Sequence, residues 1–157
     1  MQTSRKPCAE DFSSTLCNSG ALRRASRRVS QLYEETMAPI GLRVTQYSIL
    51  RQIERAGPSA LSELAQHLVM DRSTLGHNLR PLERDGLVEL VVDPNDRRSR
   101  LIALTSAGRK KIAAALPLWN QAQQQFEAAF GQKRAEALRE LLHEITGEEF
   151  AKKFAKD

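Results

Sequence analysis

The stretch "DRSTLGHNLRPLERDGLVELVVDPNDRRSRLIALT", Asp71 to Thr105, decides the fold. Leu75, Leu79 and Leu82 recur at helical spacing behind Asp71, a strong N-cap residue, so a helix with one buried face begins there. "RDGLV" closes it at Gly86, and two apolar runs come next, "LVELVV" (Leu87–Val92) and "LIALT" (Leu101–Thr105). Between them lies "DPNDRRSR", a loop with Arg97, Arg98 and Arg100 beside Asp93 and Asp96. A plain hairpin does not need three arginines at its tip.

Upstream, "ALSELAQHLVM" places Leu61, Leu64, Ala65 and Leu68 on one stripe, a short helix. Helix, brief turn, capped helix and two-stranded hairpin, in that order, describe a winged helix-turn-helix. A helix reads DNA from the major groove, where base edges are distinguishable. On the second helix, Arg72, Ser73, Thr74, His77, Asn78 and Arg80 face away from the leucines. A hairpin tip carrying Arg97, Arg98 and Arg100 suits the narrow minor groove, whose negative potential attracts guanidinium groups. Asp96 is expected to hold Arg98 in a bidentate pair and aim it. Taken alone, a charged tip is more often simply solvated, and polar residues opposite a leucine stripe occur on any surface helix. The order and spacing of the features point to DNA.

The remaining chain fits a mainly helical protein. Of 157 residues, 41% are hydrophobic and 27% charged, with a net charge of +5 and few aromatics. From Ser59 to Thr105, seven acids face six arginines, so DNA contact there depends on placement rather than bulk charge. Residues 1–18 are polar and aperiodic, expected to be a flexible arm. Leu22, Ala25, Val29, Leu32 and Tyr33 mark a first helix to about Met37, with Arg23, Arg24, Arg27 and Arg28 opposite. "APIG" ends it. A second helix is expected from Thr45, a plausible cap, to Ala56, closed by Gly57 in a left-handed conformation and by Pro58.

Beyond the hairpin, Thr105 caps a long helix to about Gly131, with Ile112, Leu116, Trp119, Ala122, Phe126 and Phe130 inward and a kink expected at Pro117. A last helix from about Lys133 carries Leu138, Leu141, Leu142 and Ile145, interrupted at Gly147. No apolar run is long enough to span a bilayer, and the N-terminus lacks the apolar core of a signal peptide. Two cysteines, Cys8 and Cys17, make neither a zinc site of usual spacing nor a disulfide framework, so a cytoplasmic protein without metal or cofactor is expected.

The segment Leu61–Arg109 resembles the MarR-type transcriptional regulators. "LSELA" matches the first helix of the motif, "DRSTL" opens the recognition helix, "LERDGLV" closes it, "DPNDRRS" is the wing and "LTSAG" starts the next helix. "LRVTQYSILRQI" (Leu42–Ile53) resembles the helix before the motif, and the likeness covers about residues 20–145. It implies one domain over 19–157, with a winged lobe at about 42–105 and dimerisation helices at about 19–38 and 106–157. It also implies a homodimeric regulator, a repressor more often than an activator, on a palindromic operator.

The family's wing arginine maps onto Arg98 and its paired aspartate onto Asp96. Gly76 and Pro81 depart from the usual recognition helix. Many such regulators release DNA when a small aromatic anionic ligand binds, and the candidate lining here is Tyr33, Met37, Tyr47, Trp119 and Phe126. A thiol-sensing branch makes Cys17 a redox candidate, although its register is offset from that branch's cysteine, which falls nearer Ser19. A winged-helix protein-interaction module without DNA binding is the further alternative. A thiol enzyme is disfavoured, since no nucleophile motif surrounds Cys17.

Overall fold

The computed structural model describes residues 17–154; Cys8 and most of the expected N-terminal arm lie outside them. Helix α1 spans Asn18–Met37, and Cys17 is the residue that caps it. A 3-10 turn, Ala38–Ile40, leads to Gly41 at φ 69°. Helix α2 runs Val44–Ala56, α3 Leu61–His67 and α4 Arg72–Arg84. Strands β1 (Val88–Val92) and β2 (Arg100–Leu104) form an antiparallel pair with Leu90 opposite Ile102. Helices α5 (Ser106–Phe130), α6 (Gln132–Thr146) and α7 (Glu148–Phe154) complete the chain.

One core holds the winged lobe together. Ile49, Leu50 and Ile53 of α2, Leu64 of α3, Leu75 and Leu82 of α4, Ile102 of β2 and Ile112 of α5 are all buried in it. Each helix thus places its apolar stripe on the same cluster, which is the largest favourable term in fixing their mutual positions.

Several local expectations are corrected. The N-cap of α2 is Arg43, not Thr45: the Gln46 side chain accepts the Arg43 N–H at 2.9 Å, and Glu34 of α1 accepts the Val44 N–H at 3.0 Å. Gly57 has φ 80° but ψ −169°, an extended mirror-image conformation that is essentially glycine's alone, rather than a left-handed helical one. That backbone carries Ser59 onto the sheet. Its N–H donates to the Ile102 carbonyl at 3.1 Å and its carbonyl accepts the Ile102 N–H at 2.9 Å. Ser59 is buried and acts as a one-residue third strand.

Helix α5 continues unbroken through Pro117. Proline removes the N–H that would pair with Ala113, and both residues are exposed, so water can take the freed carbonyl. The inner face of α5 follows the expected one at Ile112, Trp119 and Ala122 but departs from it at Leu116. Gly108, Ile112, Ala115 and Ala122 are buried, while Leu116 is exposed. Helix α4 likewise continues through Pro81 to Arg84.

The terminal helices pack differently. Helix α1 lies along α5, and a chain of polar groups ties both to α6. Tyr33 donates its hydroxyl to Gln123. Gln123 in turn donates to Glu127 at 2.9 Å, and Glu127 pairs with Arg139 at 3.0 Å. Yet Leu22, Leu141, Leu142, Ile145 and Phe150 are exposed, and Ala135 is the buried residue of α6. Among the described residues no helix is long and apolar enough to cross a membrane.

Candidate nucleic-acid interface

Helix α4 begins on a fully formed cap. Asp71 accepts the Thr74 N–H at 2.8 Å and the Thr74 hydroxyl at 2.6 Å. These bonds, the hydroxyl's first, hold the Asp71 carboxyl below the usual carboxylate range. Leu75, Leu79 and Leu82 point into the core, so the opposite face is set without freedom of rotation. On that face Arg72, Ser73, His77 and Arg80 are exposed, and no side-chain hydrogen bond or ion pair engages them among the described residues. Thr74 and Asn78 are differently used. Thr74 completes the cap, and Asn78 donates to the Thr74 carbonyl at 2.8 Å. Gly76 sits half-buried among them, and a Cβ added there meets nothing within 4 Å.

The turn before α4 closes α3 with two backbone bonds. Val69 N–H donates to Gln66 at 3.1 Å and Met70 N–H to Ala65 at 2.9 Å. This is a Schellman closure, with Val69 in the left-handed position at φ 52°. Helix α4 ends the same way, with Gly86 at φ 68° and Leu87 N–H donating to Leu82 at 2.8 Å. The wing is joined rigidly to α5. Thr105 caps that helix by accepting the Gly108 N–H at 2.9 Å and donates its hydroxyl to the Gly86 carbonyl at 2.7 Å.

At the wing tip the acids serve the backbone. Asp93 accepts the Asn95 N–H at 2.8 Å. Asp96 accepts the Arg98 N–H and the Ser99 hydroxyl, each at 2.9 Å. These two bonds, the backbone one first, lower its carboxyl below the ordinary range. The expected bidentate pair between Asp96 and the Arg98 guanidinium is therefore replaced: the carboxylate is occupied by the chain that carries Arg98. Arg97 and Arg98 are exposed with no side-chain partner among the described residues. Arg100 instead folds back, its Nη1 donating to the carbonyls of Arg97 and Ser99 at 3.1 and 3.2 Å.

The candidate ligand residues divide into three. The Trp119 ring lies 6.4 Å from Tyr33 and 6.3 Å from Tyr47, and Tyr47 and Trp119 line a cleft of about 200 Å³ with Ser48, Arg51 and Leu116. Met37 is sealed in the core at 0% exposure. Phe126 turns away to stack on Phe130 at 5.4 Å. Burial raises the Tyr33 hydroxyl above its ordinary range, with Glu127 adding to it; burial likewise raises Tyr47. Cys17 is exposed, its Sγ accepting the Gly20 N–H at 3.4 Å. No cluster of three metal-ligating side chains occurs among the described residues.

Sequence reasoning missed Ser59, Ser48 and Arg51. The last two lie one residue after Tyr47 and one turn on, a signal available only once the cleft beside Trp119 is known.

Comparison with known proteins bears on this arrangement. The MarR family model matches residues 42–99, the lobe from α2 to the wing. The M. tuberculosis transcriptional regulator MOSR, solved in complex with DNA, is 34% identical with a TM-score of 0.75, covering 86% of this chain and 97% of that one. The transcriptional repressor CouR, bound to a 23-mer DNA duplex, is 29% identical with a TM-score of 0.76, covering 91% and 100%. CouR from Rhodococcus jostii RHA1 has also been solved bound to p-coumaroyl-CoA. The transcriptional activatory protein BadR of Rhodopseudomonas palustris is 38% identical over 72 residues, 44% of this chain but only 41% of that protein. A helix-turn-helix with an arginine-tipped wing, matched by family model and by near-complete structural likeness, makes this chain a member of the MarR family of transcriptional regulators.

Proposed function

We propose that the chain is a homodimeric, sequence-specific DNA-binding regulator that acts chiefly by occluding its operator. Helix α4 enters the major groove with Arg72, Ser73, His77 and Arg80 toward base edges and phosphates, and Arg98, with Arg97, enters the adjoining minor groove. The observation that carries this reading is a contrast in how polar groups are used. Asp71, Thr74, Asn78, Asp93 and Asp96 are spent on holding backbone, while Arg72, Arg80, Arg97 and Arg98 beside them stay exposed, with no side-chain partner among the described residues. The DNA-bound structures of MOSR and CouR support it.

Dimerisation is inferred from the apolar residues left exposed on α1, α6 and α7, which one chain does not cover. Two-fold symmetry then requires a (pseudo)palindromic site with half-sites about 10 base pairs apart. The effector reading rests on the cleft at Tyr47 and Trp119, where Arg51, which pairs with Glu54 one turn on, would turn its guanidinium from that carboxylate to an aromatic anion, Tyr33 backing the indole. The p-coumaroyl-CoA complex of CouR, a similar protein, supports an aromatic ligand.

The test is a mobility-shift titration with DNA upstream of the protein's own coding sequence at two salt concentrations. Binding should weaken by ~10³ or more over a few-fold rise in salt as phosphate contacts release counterions. Failure to shift that DNA even at low salt would leave the protein-interaction reading in its place.

A further inference from the structure

We propose that Arg100 is a positioning residue that braces the wing tip, rather than a residue that touches DNA; the inference rests on the DNA-binding reading above. Two side chains hold the tip through its backbone. From one side, Asp96 accepts the Arg98 N–H and the Ser99 hydroxyl. From the other, Arg100 Nη1 donates to the carbonyls of Arg97 and Ser99. The chain closes the same loop with Asp93 N–H to the Ser99 carbonyl at 3.2 Å and Ser99 N–H to the Asp96 carbonyl at 2.9 Å. The Arg98 and Ser99 N–H groups and the Asp96, Arg97 and Ser99 carbonyls are thus bonded locally, which gives the tip a defined shape without DNA.

The consequence is a division of labour among three arginines that look alike in sequence. Arg100 stands in register opposite Val92 at the base of β2, so its stem is fixed by the ladder. Its guanidinium is spent on carbonyls, which a lysine would hold less well for want of a planar fork. Arg97 and Arg98 stand on the loop that Arg100 ties down, and their guanidinium groups remain available. A flexible tip would have to be ordered on binding, at an entropic cost that the brace removes in advance.

The experiment is an anisotropy titration of the upstream duplex over a range of KCl concentrations, using wild type, Arg98→Met and Arg100→Met. Amide hydrogen exchange and thermal melting of the free proteins accompany it. Arg98→Met should reduce the slope of log K against log[salt] by about 2, because the bound dimer loses one phosphate-neutralising cation from each protomer. Arg100→Met should bind several-fold more weakly at every salt concentration with the wild-type slope. Its Arg98 and Ser99 amides should exchange faster while its melting temperature is unchanged.

A slope reduced by about 2 in Arg100→Met, one contact from each protomer, would show a direct phosphate contact and overturn the brace. So would wild-type affinity together with wild-type exchange. No binding by the wild-type protein would overturn the DNA reading itself and the presenting role with it.

Discussion

Gly108 lies so close beneath Leu87 that a Cβ at position 108 would stand 2.1 Å from the Leu87 carbonyl oxygen. Here α5 crosses the chain just before β1, and the obstacle is backbone, which cannot swing aside. Gly108→Ala should therefore destabilise the protein despite alanine's higher helix propensity, by about 1–3 kcal/mol. A thermal melt checks it: an unchanged or higher midpoint would mean that α5 and the wing can slide apart freely.

Val69 offers the opposite case. It holds φ 52° in the turn between α3 and α4 with its side chain 68% exposed, so the strained backbone gains little burial in return. Left-handed backbone costs a Cβ-bearing residue roughly 1–2 kcal/mol. Val69→Asn, which tolerates that region, should raise stability by about 1 kcal/mol in chemical denaturation. A loss of stability would assign Val69 a packing role.

The cap of α4 gives stability a pH dependence. The folded Asp71 carboxyl titrates below its ordinary range, so its contribution is complete above an unfolded pKa of about 4 and is lost as pH falls through the lower folded value. Melting temperatures of wild type and Asp71→Asn, compared from about pH 6 down to about pH 2.5, should converge as the solution is acidified. A constant gap would show that the carboxylate's charge plays no part in the cap.

Loss of Arg98 should be felt in binding rather than folding. Its guanidinium has no intramolecular partner among the described residues, so Arg98→Ala should melt with wild type. DNA affinity should nevertheless fall by more than about 1 kcal/mol, roughly fivefold. Equal affinity in a folded mutant would remove the wing from the interface.

The exposed apolar residues of α6 test the assembly. Leu141 is 58% and Ile145 40% exposed. Leu141→Asp combined with Ile145→Asp should convert a dimer to a monomer in sedimentation, with helical circular dichroism retained. A dimer that persists would place the interface elsewhere.

Much of this molecule is written in local order. Asp71 and Thr105 announce caps, Gly86 a helix end, and the leucines at 75, 79 and 82 a buried face, because capping and periodicity act within one turn of helix. The wing's position and its arginines are legible for the same reason.

What the sequence determined by itself is therefore the element order, the buried leucine face of α4 and the family. Tertiary structure alone decided which polar groups are spent and which are free. The pairing of Ser59 with Ile102, the approach of Gly108 to Leu87, the burial of Ala115 in place of Leu116, and the assignment of Asp96 and Arg100 to backbone all depend on contacts across turns or between elements. Periodicity carries no record of such distances, because a side chain's partner is chosen by where the chain returns in space.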